Sequence, residues 1–270
     1  MKPLKVAILW HMHQPDYRDP VSGKTLLPWT YLHAVKDYAE MLQTAREVEG
    51  TRLTFNLVPT MLEQLQRYAD GEAGDVWLEA AAKDPAAMGP EERAFLLNQF
   101  FSVHSERHIL RHRRYRELAR RRGSDTAPEP DRFSDQDLRD LQVWFLLAWS
   151  GHHLRRDSPL VRRLVAKGKD FSEKEKGELL ALYDAVVAGV IGRYQEMEER
   201  GEIEISVTPY AHPILPLLCG TGTAAEATPG IQLPAVPFRH AEDARLQVRE
   251  GLRFVERCLG PRRRGMWPSE

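Results

Sequence analysis

At 270 residues the chain is long enough for one large α/β domain or two ordinary ones, and either would bury a sizeable core. Lysine plus arginine (38) nearly balance aspartate plus glutamate (39), so no global charge argues for nucleic acid, a membrane surface or a polyanionic partner. The longest early apolar run, Val6–Trp10, is too short for a signal-peptide core or a membrane span, and Cys219 and Cys258 stand far apart without metal spacing. Free thiols and no secretory signal read as a reducing, cytoplasmic setting.

In chain order, Val6, Ala7, Ile8 and Leu9 read as a strand buried on both faces of a parallel sheet, stopped abruptly by His11-Met12-His13-Gln14-Pro15. Alternation along an extended backbone puts His11 and His13 on one side, facing one pocket, unless this is a plain strand exit turning its polar groups to solvent. After a polar loop, Tyr31–Val48 reads as a helix with Leu32, Val35, Ala39, Leu42 and Ala45 on one stripe. Arg52–Val58 is a second strand, with Leu53, Phe55 and Leu57 alternating against Thr54 and Asn56, and Pro59-Thr60 opens the helix Met61–Tyr68.

From about Asp75 to Gly201 the pattern turns helical, and we read this stretch as an insertion between early strands. One helix starts at Pro90-Glu91-Glu92 and carries on past His104 toward Arg122. Another, Leu138–Leu154, follows a capping-box-like Ser134/Asp137 pair. A long one follows Ser172/Glu175, bearing Leu179, Leu182, Val186, Val190 and Tyr194, with Gly201 at the C′ position. Gly123–Pro130 is a linker, and the basic run Arg111–Arg122 reads as a solvated helix face. Strand signal returns at Glu202–Thr208, where Ile203, Ile205 and Val207 alternate with Glu204, Ser206 and Thr208, before the exit Pro209-Tyr210-Ala211-His212-Pro213. Gly220–Pro237 is loop-like, Ala241–Leu259 a helix, and Gly265–Glu270 the next strand and its exit. Since an α/β domain rarely ends on a strand exit, the chain reads as the front part of something longer.

Three strand exits thus offer His11, His13, Gln14, Tyr210, His212, Trp267 and Glu270, with Glu204 one step inside its strand. In a parallel barrel such exits converge on one mouth, where chemistry is placed. Carboxylate, imidazole, amide and indole together suit a sugar: Trp267 and Trp10 supply flat apolar faces and the polar groups bind hydroxyls. Taken singly, Trp267 reads more readily as core than as platform, Glu204 as the solvated face of an edge strand, and His212 could simply hold a turn beside Pro213.

HMHQP at 11–15, GEIEISVTPYAHPILPLL at 201–218 and GMWPSE at 265–270 resemble, in order, the first three motifs of glycoside hydrolase family 57, which holds α-amylase-like, amylopullulanase, 4-α-glucanotransferase and branching enzymes. LHAVKDYAEM at 32–41 and FNLVPTMLEQL at 55–65 are similar to that family too. The resemblance implies an incomplete (β/α)7 barrel, TIM-barrel-like, of which residues 1–270 are the N-terminal part, with a mainly helical insertion at about 75–201 and the remainder outside this chain. It implies a retaining mechanism on α-linked glucans, hydrolytic or transferring, with Glu270 as the nucleophile of a glycosyl-enzyme intermediate. His11, His13, Gln14, Glu204, His212 and Trp267 would bind the substrate, with no metal and no cofactor. The family's acid/base aspartate belongs to a fourth motif beyond residue 270, and an α-carboxylate on Glu270 would disfavour ionisation of its side chain. We therefore expect no useful hydrolase activity from these residues alone. Oligomeric state is left open.

Two other readings fit parts of the pattern. A His-x-His pair after the first barrel strand also marks metal-dependent hydrolases, with His11 and His13 as ligands; His104, His108 and His112 share helical spacing, which in an arginine-rich helix reads as coincidence. The other is a non-catalytic carbohydrate-binding barrel.

Overall fold

The computed structural model describes residues 4–123, 129–261 and 265–268; Glu270 and the middle of the Gly123–Pro130 linker lie outside the described residues. The fold is mixed α/β, and the chain divides into two compact units, Met1–Asp16 with Thr44–Arg67 and Gly189–Glu270, and Tyr17–Gln43 with Tyr68–Ala188.

The first unit is built on a parallel sheet of three strands, β1 (Leu9–Met12), β2 (Leu53–Leu57) and β3 (Ile203–Val207), in that spatial order. The register aligns His11 with Asn56 and Asn56 with Ser206, and one residue on it aligns Met12 with Leu57 and Leu57 with Val207. Alternation then sorts the faces. Met12, Phe55, Leu57, Ile205 and Val207 are buried on one side, where Tyr194 of the helix Val190–Glu199 sets its ring edge on Phe55 at 5.2 Å and its hydroxyl on Met12 Sδ at 3.1 Å. The other side carries His11, Thr54, Asn56, Glu204 and Ser206, so the face opposite the helices is polar. The helix Ala241–Leu259, bounded as its periodicity predicts, packs on β3 with Ala244, Val255 and Leu259 buried.

The first strand departs from expectation. It forms at Leu9–Met12 instead of Val6–Leu9, and Val6, Ile8 and Leu9 are exposed. Burial on both faces needs a neighbour on each edge, and among the described residues β1 pairs with β2 alone. After β3, Val207 forms one parallel bridge to Met266, so the segment 265–268 begins a fourth position in the sheet.

The second unit is helical. Its centre is the helix Asp135–Ala148, buried at Leu138, Leu141 and Val143–Ala148 and capped reciprocally by Ser134 and Asp137. Around it Trp77, Phe100 and Phe145 stack, the last two at 4.5 Å. Three expected helices are shorter than their periodicity predicts. The one starting at Pro90 ends at Gln99, because the Tyr115 hydroxyl donates to Phe100 O at 2.5 Å and takes the carbonyl that a continuing helix needs. The one from Ser134 ends at Ala148, where Arg155 donates to Leu147 O at 2.5 Å and to Ser150 O at 3.0 Å. The long one is divided at Gly189 into Glu173–Ala188 and Val190–Glu199. The sequence 29–47 is helical as expected but holds one π turn, Ala34–Tyr38.

His104, His108 and His112 lie on the irregular stretch after the helix that ends at Gln99 instead of on one continuous helix face. His104 caps the π turn Ser105–Ile109, accepting from Arg107 N at 3.4 Å, and His112 stacks on Trp144 at 4.3 Å. Nor is the basic run wholly solvated: Arg114 is half-buried in ion pairs with Asp137 and Asp140. Among the described residues no helix is long and apolar enough to cross a membrane.

Burial, and after it the charges of Arg155, Lys36, His112 and His104, pushes the His108 imidazole down to about 4. The unfolded chain therefore binds a proton at this position below about pH 6.5 that the folded chain refuses, and stability falls as pH drops from about 6.5 toward 4. His108→Gln should flatten the fall in urea midpoint over that interval while leaving the midpoint at pH 8 within experimental error. An unchanged slope would remove His108 from the account.

Candidate active site

The polar face of the sheet ends in a cluster of rings. His11, on β1, lies 4.6 Å from His212 and 6.0 Å from His13 between ring centroids, and His13 stacks on His212 at 4.8 Å. Trp267 stacks on His11 at 5.8 Å with 27° between planes. The two exits and the 265–268 segment thus bring four of the expected residues together, and His11, His13 and Trp267 keep one side open to solvent.

Each ring is held by its backbone. His11 and His13 fall on one side of an extended chain because side chains alternate. Trp267 is placed by its N–H, which donates to Val207 O at 2.8 Å. His212 has φ +53°, a left-handed conformation that few non-glycine residues adopt, and its N–H closes a turn onto Pro209 O at 3.1 Å. It is therefore both a turn residue and a member of the cluster, and its packing against two imidazoles holds a backbone state that costs energy in isolation. Burial, then the charges of His212 and His11, holds the His13 imidazole below the ordinary histidine range. His13 is thus favoured neutral, a ring that can both donate and accept a hydrogen bond beside its neighbours.

The remaining expected residues lie around it. Glu204 sits on the same face but in the register row of Thr54, whose hydroxyl donates to it at 3.4 Å, two residues before the row of His11. Two residues of strand are about 7 Å, so Glu204 is set back from the ring cluster. Gln14 is buried, and its backbone carbonyl accepts from Thr60 Oγ1 at 3.0 Å. Tyr210 donates to Glu63 Oε2 at 2.5 Å. Trp10 is on the row of Phe55 and Ile205, hence on the opposite face from His11; it is not a platform for this site. Glu270 lies outside the described residues. Among the described residues no three His, Cys, Asp or Glu side chains are arranged to hold a metal ion.

Sequence reading missed the residues beneath the cluster. Asn56, fully buried, binds three partners on the two flanking strands: its Oδ1 is 2.7 Å from His11 Nδ1, and its Nδ2 donates to Ser206 Oγ at 2.9 Å and Val207 O at 3.1 Å. The available signal was an asparagine in the middle of a strand, where that residue is depleted. Gln247 holds the exit after β3, its carbonyl accepting from Tyr210 N at 2.9 Å and its side-chain oxygen from Ala211 N at 2.8 Å. No local pattern marks Gln247, because the contact exists only once the helix lies on β3.

These observations define an α/β chain with a solvent-open site of imidazoles and one indole at the C-terminal ends of parallel strands. The family model of glycosyl hydrolase family 57 matches residues 7–270, and the chain belongs to that family. Similar solved structures include the alpha-amylase AmyC from Thermotoga maritima, 15% identical, covering 98% of this chain and 35% of that one with a TM-score of 0.47. A GH57-type branching enzyme from Pyrococcus horikoshii is 16% identical, covering 97% and 33%, TM-score 0.42. A GH57 branching enzyme from Thermococcus kodakaraensis, in complex with glucose and additives, is 15% identical, covering 97% and 32%, TM-score 0.43. The chain spans about a third of the length of these structures. No curated protein matches it.

Proposed function

We propose that this chain carries the substrate-binding half of a retaining glycoside hydrolase or transglycosylase acting on α-linked glucans. The observation that carries the reading is the meeting of His11, His13 and His212 with Trp267 on an open polar face, in a chain of family 57. An indole offers a flat face to a pyranose, and neutral imidazoles both donate to and accept from its hydroxyls. Glu270, close after Trp267 in sequence, is the nucleophile in this reading, and the sheet is the beginning of a (β/α)7 barrel with the mainly helical stretch at about 75–201 inserted in it.

Retention requires two carboxyl groups roughly 5 Å apart, one attacking the anomeric carbon and the other protonating the leaving oxygen. Glu204, bound to Thr54 and set back from the rings, does not suit the second role, and we give that role to an aspartate of the family's fourth motif. Residues 1–270 alone should therefore bind glucan without useful turnover, and release of reducing sugar from amylose by the purified chain would refute this. Gln14, buried just past β1, is kept among the substrate-binding residues of this reading. We place the protein in the cytoplasm, on its free Cys219 and Cys258 thiols.

A 2-deoxy-2-fluoro-α-glycosyl fluoride tests the reading in a chain of the family's full catalytic length. Mass spectrometry should find the label on Glu270, and Glu270→Ala should abolish labelling and lower kcat by about 10³-fold or more. Label on another residue would move the nucleophile. No label with glucan binding intact would favour a non-catalytic binding barrel.

A further inference from the structure

Asn56 sits fully buried at the centre of the sheet with both hydrogens of its amide engaged, one by Ser206 Oγ and one by Val207 O. A backbone carbonyl only accepts, so chemistry fixes the amide: Nδ2 faces β3 and Oδ1 faces β1. That oxygen has no hydrogen to give, yet it lies 2.7 Å from His11 Nδ1. The proton between them must belong to the imidazole.

We infer that Asn56 is a positioning residue that holds neutral His11 in its Nδ1–H tautomer, so that Nε2 is presented at the open face as a hydrogen-bond acceptor for a sugar hydroxyl. The tautomer follows from the hydrogen bonds alone; the hydroxyl rests on the sugar-site reading above. The ring plane is fixed as well, by His212 at 4.6 Å on one contact and Trp267 at 5.8 Å on another. Val207 O also accepts from Trp267 N at 2.8 Å, so one carbonyl couples the tautomer of His11 to the seat of the indole. A site built this way discriminates by polarity: a hydroxyl donates to Nε2, whereas a fluorine or a methoxy group at the same sugar position cannot.

The test is the ring nitrogen spectrum of the 270-residue chain labelled with ¹⁵N-histidine at pH 8, well above the ordinary imidazole range of about 6.5. The His11 signals are assigned by their loss in His11→Gln. The expected pattern for His11 is a protonated Nδ1 and an unprotonated Nε2, the minority tautomer of free histidine. Asn56→Leu should shift it to the Nε2–H form, and Asn56→Asp, which keeps an acceptor at this point, should retain Nδ1–H. An Nε2–H signature or a rapidly averaged ring in the unsubstituted chain overturns the proposal, whether or not Asn56→Leu folds; so does an unchanged pattern in a folded Asn56→Leu. Titration with maltotriose then reads the second clause separately. A shift of His11 Nε2 supports the hydroxyl contact, and no shift beside an intact Nδ1–H signature removes that contact while leaving the tautomer assigned.

Discussion

Gly251→Ala should lower the unfolding midpoint of the chain and disturb His212 together, although alanine is the better helix former. The glycine lies in the helix Ala241–Leu259, and a Cβ on it would stand 2.8 Å from Thr208 O, 2.9 Å from Tyr210 N and 3.2 Å from the carbonyl carbon of Pro209. All three are backbone atoms of the segment that turns into His212, so no flexible side chain can yield. In helix propensity alone the change gains about 1 kcal/mol. Overpacking against rigid backbone costs about 1–3 kcal/mol, and retreat of the helix also weakens the two bonds that Gln247 accepts from Tyr210 N and Ala211 N. The net expectation is about 1–2 kcal/mol of destabilisation, larger for Gly251→Val. Urea midpoints and the ring signals of His212 measure both effects. A stabilised Gly251→Ala with unmoved His212 signals would show that the helix and the exit do not lie in contact as described.

Arg114→Ala should cost more, about 3–5 kcal/mol, because it leaves Asp140 buried and unbalanced. Arg114 donates through Nε to Asp140 Oδ2 at 2.7 Å and through NH2 to Asp137 Oδ1 at 2.6 Å, and the Asp140 side chain has no solvent exposure. The other oxygen of Asp140 accepts from Phe171 N at 3.1 Å and Gln136 Nε2 at 2.9 Å, tying the helix Asp135–Ala148 to the start of the next long helix. Burial works against ionised Asp137, but bonds from Ser134 and Arg114 and the charge of Arg121 outweigh it and hold this carboxyl below its usual value of 3.8. A carboxyl depressed in the folded state contributes stability above the unfolded value, and that contribution is lost as pH falls through the folded one. Arg114→Ala should therefore lower the urea midpoint at pH 7 and reduce the loss of stability below about pH 4. The double variant Arg114→Met with Asp140→Leu should lose less than Arg114→Ala, since no buried charge is left unpaired, but should not recover fully, because Phe171 N and Gln136 Nε2 lose their acceptor. Equal losses in the single and double variants would refute this account of the network.

Much of this molecule was written in local pattern. The alternation in RLTFNLV and EIEISVT placed β2 and β3 within a residue of their ends, and the periodicity of 241–259 gave that helix its full length. The capping pairs Ser134/Asp137 and Ser172/Glu175 start helices where they stand, because both partners lie within one turn. Residue types likewise brought His11, His13, His212 and Trp267 under suspicion, and the motifs named the family that the family model confirms.

What tertiary structure decided was every outcome that depends on a distant partner. Tyr115 and Arg155 stopped helices that their own periodicity would continue, by capturing carbonyls from 15 and 8 residues away. The edge position of β1 exposed residues that read as doubly buried, and the phase of that strand turned Trp10 away from the rings beside it in sequence. Above all, the sequence alone supplies an asparagine, a histidine and a valine carbonyl separated by 45 and 151 residues. Only the parallel register brings them side by side across adjacent rows, and only there do the fixed roles of donor and acceptor decide which nitrogen of His11 carries its proton.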